Sequence, residues 1–193
     1  MTRPRNIIQK IIAIFFIIWG VGILSCEVYN WYITFQIIHV SWDNFSLLTF
    51  LKNQHVYFLA PLLTFISGVL LLLRNRLGWI IGVCISLFIP FGFFIYPAFN
   101  IQINKTDTAS IYIILITCIL FLIIFILLIS KPIRLNYFPN KMTWSSIAII
   151  FVLLMADEIF IQQNRNRRYN EIKKQFESDS SHKRGQNLDS TIK

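Results

Sequence analysis

The chain has 193 residues, of which 55% are hydrophobic and only 14% charged, with a formal net charge of +9. Soluble domains carry about 25% charged residues, so this deficit, with a mean hydropathy of +0.60, excludes an ordinary water-soluble globule and makes lipid the main solvent. The basic excess does not imply nucleic acid: Lys and Arg sit at the ends of apolar runs and in the C-terminal tail, where membrane proteins keep them, and no nucleic-acid-binding motif accompanies them.

A crossing helix needs roughly 20 mostly apolar residues, because each adds ~1.5 Å across a core ~30 Å thick. Residues 11–29 form the first such run, apolar until Glu27. Its ending, Ile23-Leu24-Ser25-Cys26, resembles a bacterial lipoprotein signal, in which the cysteine is acylated. The preferred reading is an uncleaved first span. The following loop, residues 27–55, is rich in aromatic residues (Tyr29, Trp31, Tyr32, Phe35, Trp42, Phe45) that favour the headgroup zone. Its alternation over residues 34–42 is compatible with a short strand, and residues 43–53 with a short interfacial helix capped by Ser41.

Residues 56–73, 79–99 and 111–130 are the second, third and fourth spans, none of them containing Asp, Glu, Lys, Arg or His. Pro90 and Pro97 in the third are places where a helix can kink or break. Residues 144–161 are a fifth apolar run, closed by Asp157 and Glu158. Beyond it lies a polar, basic tail, residues 162–193. Its first part has the spacing of an amphipathic helix through Tyr169, Ile172 and Phe176, and its last part has the composition of disorder.

The expected fold is therefore all-α: a polytopic transmembrane helical bundle of residues 1–161 with five spans, four being the alternative. Arg3, Arg5, Lys10, Arg74, Arg76, Lys131, Arg134 and Lys141 fall on one side of it, which the positive-inside rule makes cytoplasmic, together with the N-terminus. Charge alone favours leaving the fifth run uncrossed, since Arg165, Arg167, Arg168, Lys173 and Lys174 would otherwise lie outside. Hydrophobicity outweighs this. Residues 147–155 would cost on the order of 10 kcal/mol in water at ~1.5–3 kcal/mol per large side chain.

In lipid, helices associate where small residues let backbones approach. Gly78, Gly82 and Ser86 share one face of the third span, and Thr64 and Gly68 share one face of the second. Counting from the tight turn at Arg74 and Arg76, Gly68 is expected to face Gly82, and Thr64 to face Ser86. Asp157 and Glu158 are the candidate functional acids, since intramembrane acids mark ion or proton routes. As neighbours on a helix they point about 100° apart and do not converge. Cys26, Cys84 and Cys118 are too widely spaced for a disulfide framework, and depth keeps Cys84 and Cys118 apart. No zinc spacing, catalytic signature or cofactor motif is present. Asn44-Phe45-Ser46 and Asn104-Lys105-Thr106 fit the glycosylation pattern, which matters only in a eukaryotic source.

These features predict a non-enzymatic accessory, assembly or immunity-type protein of the bacterial cytoplasmic membrane. Its partners are the lipid bilayer and either another membrane protein or a second copy, with no nucleic acid and no cofactor. A small transporter or channel component and a membrane enzyme are the alternatives.

Overall fold

A computed structural model describes residues 5–38, 47–99 and 108–189. These residues form α1 (Arg5–Ile38), α2 (Leu47–Leu72), α3 (Arg76–Phe99), α4 (Thr108–Ile129), the short α5 (Lys131–Arg134) and α6 (Lys141–Asp189). The protein is all-helical. Among the described residues four stretches are long and apolar enough to cross a membrane: Ile7–Ile33, Arg76–Phe93, Ile111–Ile129 and Lys141–Asn164. The apolar part of α2 is shorter, Phe58–Leu72, about 22 Å at ~1.5 Å per residue. Lys52, Asn53, Gln54 and His55 lie further toward the N-terminus of the same helix.

Several boundaries differ from the sequence expectation. α1 continues through Ile38, so residues 34–38 are helical rather than part of a strand; residues 39–42 lie outside the described set. Residues 47–53, expected as a separate interfacial helix, are the first turns of α2. α3 runs unbroken through Pro90 and Pro97 to Phe99. α6 continues without interruption to Asp189, through a tail expected to be partly irregular.

α3 lies at the centre and packs on α2, α4 and α6, while α1 packs mainly on α2. α2 and α3 are antiparallel neighbours joined by a turn in which the Asn75 amide donates to Leu70 O and the Arg74 amide to Leu71 O. Arg74 takes a left-handed φ of 56° there, at a position after a helix end that glycine usually fills. α6 runs parallel to α3, as Trp79 meets Trp144, Cys84 meets the Ile147 carbonyl and Phe91 meets Phe151.

The core is filled by Phe16 of α1, Leu71 of α2, Trp79, Val83 and Ile85 of α3, and Phe121 and Leu128 of α4, all fully buried. Phe121 joins three aromatic side chains of α1: it stacks on Phe16 and makes edge contacts with Phe15 and Trp19. Lipid is as apolar as these side chains, so van der Waals fit and interhelical hydrogen bonds hold the bundle. Outward-facing Ile113, Ile116, Ile123 and Ile126 of α4 are exposed, as a lipid-facing helix requires.

Candidate functional site

The small residues are used at two different seams. A Cβ on Gly78 would lie 2.6 Å from Leu70 Cβ and 2.7 Å from the backbone of Leu70 and Leu71, so α2 and α3 touch there backbone to backbone. A Cβ on Gly82 would meet Ser67 Oγ at 2.9 Å and Phe16 at 3.2 Å. Gly68 turns to α1 instead, where a Cβ would lie 2.7 Å from Ala13 O and 2.8 Å from Ile17. The expected Gly68–Gly82 pairing is therefore corrected: Ser67 is the small residue opposite Gly82. Thr64 and Ser86 are both buried, and each hydroxyl donates to a carbonyl of its own helix, Thr64 to Ala60 O and Ser86 to Gly82 O. Ser67 bonds across the seam, donating to Gly78 O at 2.8 Å. Trp79 Nε1 likewise reaches from α3 to Leu128 O of α4 at 2.9 Å.

At one end of the bundle, Asn140 caps α6. Its Oδ1 accepts from the Thr143 amide at 2.9 Å while Thr143 Oγ1 accepts from the Asn140 amide at 3.2 Å, a reciprocal arrangement that satisfies two otherwise orphaned donors. The Arg76 guanidinium donates to both side chains, Asn140 Oδ1 and Thr143 Oγ1, so the α2–α3 turn is tied to the start of α6. Gln9 of α1, buried, donates to Leu71 O at 2.8 Å. Tyr137 stacks on Trp79 with ring centroids 5.9 Å apart, and its buried hydroxyl has no hydrogen-bond partner among the described residues. Burial pushes the Tyr137 hydroxyl up to about 12, against the opposing pull of the Arg74 charge.

At the opposite end, His55 Nε2 of α2 lies 2.8 Å from Asp157 Oδ2 of α6, both side chains half-exposed. Glu158 points along its own helix and accepts from Gln162 Nε2 at 2.8 Å, leaving the buried Gln162 Oε1 without a partner. The two candidate acids thus take separate partners. From Thr143 to Asp157, α6 rises about 21 Å at ~1.5 Å per residue, between the contact with Arg76 at the start of α3 and the contact with His55 in α2. The sequence alone does not connect His55 with Asp157, since the two are 102 residues apart. The only available signal was that both close apolar runs on the same side of a five-helix topology.

A half-exposed pair of this kind is worth about 0.2–1 kcal/mol. A double-mutant cycle of His55→Gln and Asp157→Asn, read by thermal unfolding in detergent, is expected to give a coupling inside that range. Zero coupling would mean that the contact does not hold α2 to α6.

Among the described residues no group of three or more His, Cys, Asp or Glu is placed to hold a metal ion. Cys26, Cys84 and Cys118 are all free, the first exposed and the others buried. Comparison of the chain with known protein families, with curated proteins and with solved structures finds no match.

Proposed function

We propose that this chain is a multi-pass protein of the bacterial cytoplasmic membrane that acts through contacts with another membrane protein, as an accessory, assembly or immunity-type subunit. In this reading the end bearing Arg74 and Arg76, and with it the N-terminus, faces the cytoplasm, and α2 is the fifth crossing helix.

The supporting observation is how the polar side chains within the bundle are used. Thr64, Ser67, Ser86 and Trp79 all donate to backbone carbonyls, so their donors are taken up by the bundle's own backbone instead of lining a path for solute. α3 continues as one helix through Pro90, whereas transporters use interrupted helices to coordinate their cargo. The test is purification of the full chain from its native membrane in mild detergent after chemical crosslinking. A partner present in stoichiometric amount, or a defined homo-oligomer, is the expected result. A lone monomer that carries solute flux in liposomes would overturn the reading in favour of a transporter component.

A further inference from the structure

The end of the bundle that carries Arg74 contains cations without counter-charges. No Asp or Glu occurs anywhere in residues 1–26, 44–106 or 108–156. Lys10, Arg74, Lys131 and Lys141 are exposed and Arg134 is half-buried. Among the described residues none of the five is in an ion pair. They belong to one surface: Gln9 bonds the end of α2, α5 packs on α1 and α4, and Tyr137 stacks on Trp79 of α3.

Two backbone features single out this surface. Arg74 holds a left-handed conformation, φ 56°, where glycine would be unstrained, so the guanidinium is kept at a position the turn itself does not favour. Phe138 is likewise left-handed, φ 42°, and its ring is 79% exposed. At the same end of the bundle Leu73, Leu135 and Met142 are exposed as well. Free anions and acidic protein segments ask for charge alone, whereas exposed apolar side chains interleaved with cations suit a ligand that is anionic at one end and apolar at the other.

We propose that this end of the bundle binds an anionic phospholipid, its phosphate held by Arg74 and Arg134, and its acyl chains against Leu73, Leu135 and Phe138. This binding is independent of whether the protein has a protein partner.

The test uses Arg74→Gly, which removes the guanidinium and relieves the backbone, so loss of binding is separated from loss of fold. The full chain is purified in detergent and titrated with phosphatidylglycerol or phosphatidylcholine, followed by native mass spectrometry and by the melting of its tryptophan fluorescence. The parent is expected to prefer phosphatidylglycerol and to be stabilised by it. Arg74→Gly should bind it about fivefold more weakly, the effect of one basic residue at an anionic surface, while melting no lower than the parent in phosphatidylcholine. Arg134→Gln, which leaves the turn untouched, should show a similar loss and decides the matter if Arg74→Gly proves unstable. The proposal is overturned if Arg134→Gln and a folded Arg74→Gly keep the parent's affinity, if the two lipids bind alike, or if inorganic phosphate or polyglutamate stabilises the protein as much as phosphatidylglycerol does.

Discussion

Replacing Trp79 by alanine is expected to destabilise the bundle by about 3–5 kcal/mol, the range for deleting a large buried aromatic side chain. Trp79 is fully buried where α3 meets α4, α6 and the segment between α5 and α6. Its ring stacks on Tyr137 and takes the edge of Trp144 at 5.7 Å, and its Nε1 donates to Leu128 O of α4. The loss is one of dispersion contacts that lipid cannot restore inside a packed seam. Trp79→Phe separates the contributions, since it retains a ring and removes the hydrogen bond. An interhelical bond in a membrane averages about 0.6 kcal/mol, so that variant should lose far less. Reversible unfolding in mixed micelles measures both. An alanine variant within about 1 kcal/mol of the parent would show that α4 and α6 are held elsewhere.

The helices that were easiest to read in the sequence are those whose burial demands nothing specific. α4 is an almost pure Ile, Leu and Phe run, and lipid accepts such a helix on all sides. The ends were harder, because there the chain leaves a uniform apolar solvent and individual contacts decide. α6 begins at Lys141 through the Asn140–Thr143 cap, three residues before the apolar run that marked it in the sequence. α1 extends through Tyr29, Trp31, Tyr32 and Phe35, residues whose aromatic mixture also fits an interfacial loop.

The glycine pairing shows which dimension sequence counting can reach. Depth follows from the rise per residue, and it brings the Ser67–Gly68 stretch of α2 level with Gly82. Azimuth does not follow, because α2 is flanked by both α1 and α3. Ser67 and Gly68 differ by about 100° around the helix, enough for one to meet α3 and the other α1. The His55–Asp157 contact was hidden for a related reason: it depends on α6 lying alongside α2 as well as α3, and nothing in either segment alone specifies that neighbour.

The seam between α1 and α2 gives the second large expected effect, and it contains its own control. Gly20 and Gly22 lie two residues apart on the same helix. A Cβ on Gly20 would sit 2.8 Å from Pro61 O, 2.8 Å from the Phe65 amide nitrogen and 2.9 Å from Phe65 Cβ. Two of these atoms are backbone, so no rotamer change relieves the clash and α1 must move away from α2. A Cβ on Gly22 meets nothing within 4 Å. Overpacking of this kind costs about 1–3 kcal/mol, and the displacement also opens the contact at Gly68, on the same seam. Gly22→Ala removes only the conformational freedom of glycine, so it should cost nothing and gain up to about 1 kcal/mol through helix propensity. Gly20→Leu should separate the two helices outright, exposing their seam to lipid. Unfolding of the three variants in mixed micelles, with a cysteine crosslink between α1 and α2 as a proximity reading, tests this directly. Equal stability of Gly20→Ala and Gly22→Ala would contradict the close approach of α1 to Pro61 and Phe65, and with it the packing order of the bundle's first two helices.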